Sequence, residues 1–424
     1  MLGGVVEVPG GGGQAGTAHK CSFCEKPQDE VGRLVSGPGV HICEGCVDLC
    51  AEVVAEGRAE DTGARGSDFP KPHEISAFME QYIVGQEWAK KSLAVAVYNH
   101  HKRIGSLTAR QDRSGVELSK SNILMLGPTG SGKTLLAQTL ARTIDVPLVI
   151  ADATGLTEAG YMGESVDSIL LNLIRAADND VERAERGIVY IDEIDKIACR
   201  TSGGGRDVSG EGVQQALLKA LEGSVFTISP QTANGTAPVG RGRSSHQALR
   251  IDTTNILFIV GGAFVGLDEV VLARRRSSSI GFHPDPVAKD EEGADPLMEV
   301  LPDDLIEFGM IPEFISRLPM ITSVHRLEES DLLRVLTEPK NALVKQYRHL
   351  FELDGVELVF EEDALRAIAA EAIARRTGAR GLRSVLDRLL LSVMYEVPAL
   401  GNVRRVTVTE GAVLRKEGLF IEHD

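Results

Sequence analysis

Gly127-Pro128-Thr129-Gly130-Ser131-Gly132-Lys133-Thr134 follows the apolar run Ile123-Leu124-Met125-Leu126 and leads into Leu135-Leu136-Ala137-Gln138. The order predicts a buried strand, a glycine-rich turn and the start of a helix. Such a turn aims successive backbone N–H groups, and the positive end of a helix, at one point, which suits a polyphosphate. Gly130 and Gly132 let the backbone close around phosphates, where a Cβ would clash or a positive φ is needed. Lys133 is placed to reach the β- and γ-phosphates, and Thr134 to offer its hydroxyl to magnesium. The stretch Gly127 to Leu135 therefore reads as a nucleoside-triphosphate site.

Outward from that turn, apolar strands alternate with amphipathic helices over residues 73–265. Strands are predicted at 123–126, 147–151, 187–191 and 255–260, and helices at 86–102, 133–144, 164–179 and 211–222. This alternation implies an α/β fold with a parallel sheet covered by helices. Residues 268–300, with Arg274-Arg275-Arg276, several serines and Pro284-Asp285-Pro286, read as a long exposed loop. Helices are expected at 328–351, 361–374 and 380–396, with β-rich pieces at 355–360 and 404–408. The expected organisation is a flexible glycine-rich tail (1–17), a cysteine-bearing domain (18–52), a linker (53–69), a large domain (70–324) and a smaller C-terminal domain (325–424).

Composition narrows the function classes. Charged residues make up 25% of the 424 and aromatic ones only 4%, with a formal charge of −16. That balance opposes a surface built to hold a nucleic-acid backbone or to stack bases. No apolar stretch reaches the length of a membrane span, and the N-terminus does not read as a signal peptide. A cytoplasmic protein is expected, where clustered cysteines usually mean metal.

Cys21-x-x-Cys24 and Cys43-x-x-Cys46 are such a cluster. Each pair can present two thiolates from one tight knuckle, and two knuckles complete a tetrahedron around Zn²⁺ with no position left for water. A segment this short cannot bury a sufficient core, so the metal would supply its stability. Cys50 and Cys199 read as packing residues.

Gly187-Ile188-Val189-Tyr190-Ile191-Asp192-Glu193 is a buried strand ending in two acids. Beside a phosphate loop, the first carboxylate assists magnesium and the second polarises the attacking water. Arg317 lies among apolar residues in Pro312 to Pro319, and Arg380 in Thr377-Gly378-Ala379-Arg380-Gly381. Either guanidinium could stabilise a transferring phosphoryl group or form a structural ion pair.

These stretches together resemble the ClpX family of zinc-binding AAA+ unfoldases, from about Lys20 to the last strand. The likeness includes the cysteine module, the phosphate loop, Leu156 to Gly163, Ile188 to Lys196, Arg206 to Ala216 and the two arginine segments. It implies an AAA+ large domain, a mainly helical α+β C-terminal domain and a treble-clef-like zinc domain. It further implies a homohexamer that hydrolyses ATP with Mg²⁺, unfolds tagged clients delivered directly or by adaptors, and feeds them to a ClpP-type peptidase. By this resemblance Ile83 and Val84 pack around adenine, and Tyr161, Met162 and Arg206 belong to pore loops that grip the client. Ile280-Gly281-Phe282 docks on the peptidase, Arg317 contacts ATP on the neighbouring subunit, and Arg380 is the sensor of the small domain.

The chain departs from the family pattern at three points. The basic triplet of the pore entrance is replaced by Gly240-Arg241-Gly242-Arg243-Ser244-Ser245-His246, Met162 stands for a valine, and Val260-Gly261-Gly262 lacks a polar sensor at its strand end. Trp88 is expected to pack within its helix.

Overall fold

The computed structural model describes residues 20–31, 33–50, 69–108, 116, 118–156, 164–199, 201–202, 205–206, 208–228, 248–278, 295–375 and 377–423. Two compact units divide the chain, Met1–Phe69 and Pro70–Asp424.

In the first unit a 3₁₀ turn (Gln28–Glu30) precedes β1 (Leu34–Gly37) and β2 (Val40–Cys43). The two strands pair antiparallel, with Leu34 opposite Cys43. Residues 44–50 are helical. A knuckle, a hairpin and a helix thus follow in the order expected of a treble-clef-like module.

In the second unit the chain builds β3 (Ile123–Leu126), β4 (Leu148–Asp152), β5 (Ile188–Asp192), the hairpin β6 (Thr201–Ser202) and β7 (Gly205–Arg206), and the hairpin β8 (Val225–Ile228) and β9 (Leu249–Asp252). β10 (Leu257–Gly262) and β11 (Met320–Ser323) follow, and then β12 (Glu357–Phe360), β13 (Val403–Val408) and β14 (Phe420–His423). A five-stranded sheet runs β11-β3-β10-β5-β4, and every neighbouring pair in it is parallel. β3 and β10 carry no exposed residue, as unbroken apolar strands covered on both faces should. From β3 the chain crosses to the far edge at β4 and works back. The turn after β3 therefore opens at the carboxyl ends of the strands, where such sheets bind ligands.

Two hydrophobic cores form. One gathers residues between Leu124 and Leu318 around the sheet, and the other gathers Leu332 to Val413 around the second sheet, β12-β13-β14, and its helices. Helices Glu87–Thr108, Lys133–Thr143, Val166–Ala176 and Val208–Glu222 match the expected ones with shifted ends.

Several expectations are corrected. Residues 267–278 are helical, not part of an exposed loop. Arg274 Nε lies 2.7 Å from Asp304 Oδ1 and Arg275 Nε lies 3.8 Å from Glu299 Oε2. Basic residues in a last helical turn also suit the macrodipole. The single helix expected over 328–351 is two, Glu329–Thr337 and Leu343–Leu353; Pro339, which has no N–H, lies in the break. The helix from Ala379 instead continues past 396 to Leu400 and contains Pro398. Trp88 does not pack inside its helix bundle: it is 60% exposed.

Candidate functional site

In the first unit, Cys21 N–H donates to Lys26 O and Glu25 N–H donates to Cys21 O, each at 2.9 Å. This closes the knuckle around Cys21 and Cys24, with Glu25 at a left-handed φ of 59°. Cys43 ends β2 and Cys46 follows on the helix over 44–50. All four sulfurs lie within 4.8 Å of one another. Zn–S bonds of about 2.3 Å require S···S edges of about 3.8 Å in a tetrahedron; Cys24 and Cys43 are 3.6 Å apart.

Cys21 and Cys46 are shifted in opposite directions. Burial pushes the Cys21 thiol up, but the N–H groups of Cys24, Cys43 and Phe23 outweigh it and hold it down to about 6. Cys46 is pushed up to about 12, first by its hydrogen bond with Cys43 and then by burial. Four thiolates this close repel one another unless a cation lies among them, and this all-sulfur set fits Zn²⁺. His41 is engaged elsewhere, its Nδ1 2.8 Å from Ser36 Oγ.

In the second unit the turn after β3 faces the cleft. Gly130 has φ of 79°, and a Cβ there would lie 2.6 Å from Thr377 O. The glycine is required because the backbone ahead of the helix Ala379–Leu400 rests on the turn: Ala379 N–H donates to Gly130 O at 3.3 Å. Ser131 Oγ donates to Pro128 O at 2.7 Å. Lys133 is buried, and its Nζ donates to Gly127 O at 2.6 Å and Pro128 O at 3.0 Å. Burial lowers the Lys133 pKa; Asp192 and Asp195 counter that, while Arg380 adds to it. Thr134 Oγ1 donates to Asp192 Oδ2 at 2.9 Å, and Glu193 N–H donates to Asp192 Oδ1 at 3.0 Å. Glu193 leaves the end of β5 at a left-handed φ of 57°.

These groups share a cleft of 590 Å³ whose lining includes Thr129, Gly130, Gly132, Lys133, Thr134, Leu135, Asp192, Glu193 and Arg380. The fold thus gathers residues far apart in sequence into one cavity whose charged and hydroxyl side chains can hold phosphates, a cation and a water. Sequence reasoning missed Gln138, Asp195, Lys196 and Arg383 in the same lining. Arg383 lies one helical turn beyond Arg380, and Asp195 and Lys196 continue the acidic strand end, so spacing could have found them.

Ile83 and Val84 are buried. The following Gln86 ties their segment to the phosphate loop. Its Nε2 donates to Ser131 O at 3.4 Å and to His325 O at 2.9 Å, and its Oε1 accepts from His325 N–H at 3.0 Å. Nothing in the sequence marked Gln86 as this three-way link.

Arg317 is elsewhere. Its carbonyl accepts from Asn122 Nδ2 at 3.0 Å, and its Nη2 is 2.8 Å from Glu222 Oε1. Asn122 immediately precedes β3, so Arg317 sits at the amino end of the sheet. The phosphate loop leaves the carboxyl end, and four residues of strand separate the ends by about 13 Å. Tyr161, Met162, Ile280, Gly281, Phe282 and the 240–246 stretch lie outside the described residues. Arg206 lies in β7, paired opposite Thr201.

Comparison with known families adds three matches. Residues 19–56 match the ClpX C4-type zinc finger, residues 118–321 the AAA domain (Cdc48 subfamily), and residues 327–410 the C-terminal, D2-small domain, of ClpB protein. The first agrees with zinc in the four-cysteine centre. The second implies ATP binding and ATPase activity. Taken in chain order with the four-sulfur cluster and the parallel sheet, the three matches make this chain a ClpX-like AAA+ protein.

Proposed function

We propose that the chain is an ATP-driven protein unfoldase that works as a homohexamer and passes clients to a ClpP-type peptidase. The observation that carries the reading is the placement of the two arginines. Arg380 lines the cleft with Lys133 and Glu193, whereas Arg317 stands at the opposite end of the same sheet. A guanidinium so far from its own phosphate loop can serve a nucleotide only if that nucleotide belongs to a neighbouring copy. A site completed in trans makes hydrolysis a property of the ring.

Within the cleft, Lys133 holds the outer phosphates and the backbone of Gly127 to Leu135 cradles them, with Ile83 and Val84 beside the base. The Lys133 ammonium now rests on loop carbonyls, which a phosphate oxygen would replace as its partner. Thr134 and Asp192, already adjacent, are a fitting pair for Mg²⁺, which would supply charge neutralisation on the phosphates. Glu193 orients the attacking water and accepts its proton. Arg380, carried by a helix whose N-terminal approach rests on Gly130, senses the state of the nucleotide.

The residues on either side of the Gly130 contact belong to the proposed large (70–324) and small (325–424) domains. Opening or closing of the cleft would thus rotate one against the other. Tyr161, Met162 and Arg206 then transmit that rotation to a client in the pore, and Ile280 to Phe282 dock the peptidase. The zinc module (18–52), tethered by 53–69, receives clients and adaptors. The protein is read as cytoplasmic; no helix among the described residues is long and apolar enough to cross a membrane.

The decisive experiment adds a ClpP-type peptidase and a tagged, stably folded reporter to the full chain with ATP and magnesium. Degradation should proceed and should fall at least about 100-fold in Glu193→Gln, the size expected for loss of a catalytic base. Hydrolysis without any loss of reporter structure would overturn the unfoldase reading while leaving the ATPase intact.

A further inference from the structure

β10 lies between β3 and β5 and ends at Gly261-Gly262. Its last carbonyl touches the phosphate loop, with Gly127 N–H donating to Gly262 O at 3.2 Å. No side chain from these two glycines faces the nucleotide. The space is taken instead by Tyr190 of β5. Tyr190 is registered opposite Ile259, yet a Cβ on Gly261 would collide with its hydroxyl. The ring therefore slants along the sheet toward the nucleotide edge. Asp192 lies two residues further along β5, on the same face.

The Tyr190 hydroxyl is buried and meets no partner at hydrogen-bond geometry among the described residues. A buried hydroxyl in that condition is rare and unfavourable. Val260 is registered opposite Ile191, so Gly261, and with it the hydroxyl that fills its side-chain space, stands level with Asp192. Asp192 is meanwhile satisfied by other donors, Thr134 Oγ1 on Oδ2 and Glu193 N–H on Oδ1.

We propose that Tyr190 is a positioning residue for Asp192, supplying from β5 the polar group that β10 lacks. The inference rests on the reading of Thr134 and Asp192 as the cation-binding pair. When the Thr134 hydroxyl turns toward a cation, Asp192 Oδ2 loses its donor. Tyr190 has the spare hydrogen to replace it, and so fixes the carboxylate that aligns the neighbouring Glu193. Gly261 is glycine because the tyrosine hydroxyl occupies the place of its side chain.

The test is Tyr190→Phe in the full chain, assayed beside Asp192→Asn. Removing an unpartnered hydroxyl should leave the nucleotide-free melting temperature unchanged or raise it. The turnover number for ATP should fall about 10-fold, the scale of one hydrogen bond to a charged group. The KM for ATP should stay within about twofold, and the magnesium concentration for half-maximal rate should rise severalfold. Turnover and magnesium dependence within about twofold of wild type would overturn the proposal, as would a drop in nucleotide-free stability that accounts for the lost rate. Asp192→Asn separates the two readings. If it abolishes hydrolysis while Tyr190→Phe is silent, only this inference fails; if Asp192→Asn is itself silent, the cation-site reading fails with it.

Discussion

The zinc module and the nucleotide cleft hold their ligands by opposite strategies. The zinc centre draws all four ligands from Cys21 to Cys46 and, among the described residues, has almost no core, with Phe23, Val35, Val40, Val47 and Leu49 exposed. The cleft draws on residues from Thr129 to Arg383 and rests on two large cores. In the first case the ligand makes the structure; in the second the structure makes the site. Stability and function should therefore fail together in one region and separately in the other.

Metal removal should give the largest effect. Structural zinc is worth roughly 10–16 kcal/mol to modules of this kind at neutral pH. Chelation should therefore unfold residues 20–50, read as loss of their dispersed amide resonances. Stabilisation of Pro70–Asp424 by nucleotide serves as the internal control. Because the sulfurs must shed protons to bind, the same loss should appear without chelator as pH falls. A segment that stays folded after chelation would break the comparison.

This contrast also explains what could be read from sequence. The cysteine spacing and the phosphate loop are contiguous, so composition and order were enough. The acids at the end of β5 were legible because a buried run ends abruptly at Asp192. β11 was not, since its buried positions include Thr322 and Ser323, which break the apolar signal. The run His100-His101-Lys102-Arg103 is polar around a whole helical turn, yet His100 and Arg103 are buried. His100 Nε2 lies 2.9 Å from Asn255 O and Arg103 Nη2 donates to Thr254 O at 2.6 Å, holding the turn that launches β10. Burial pushes the His100 pKa down to about 4, with Asn255 countering it. Only tertiary packing decides which face of such a helix is wet. The bonds by which Gln86 links its segment to Ser131 and His325 were hidden for the same reason: those partners are distant in sequence.

A smaller effect should separate stability from function at the cleft. Gly130→Ala would place a Cβ 2.6 Å from Thr377 O at a φ of 79°. Backbone strain of this kind costs about 1–3 kcal/mol. Because the contact joins the phosphate loop to the helix bearing Arg380, the loss should fall mainly on nucleotide binding, about 10-fold in affinity. Binding calorimetry and nucleotide-free melting would apportion it. Equal losses in both would mean that the cleft, like the zinc centre, is indispensable to its own fold.

The smallest expected effect is at Glu222. Its ion pair with Arg317 spans 2.8 Å, but the two side chains are 46% and 50% exposed. Exposed pairs of this kind contribute about 0–1 kcal/mol, with solvent and salt screening most of the attraction. Glu222→Gln should hence move the melting temperature of Pro70–Asp424 hardly at all. If Arg317 serves a neighbouring nucleotide, the carboxylate is only a resting partner that it must leave. Releasing it should keep hydrolysis at the wild-type rate or raise it. If the pair instead fixes Arg317 for a role within its own chain, Glu222→Gln should lower hydrolysis as Arg317→Ala does. Titrating ATPase rate against protein concentration in both variants distinguishes the cases, because only a site completed by a second copy depends on assembly.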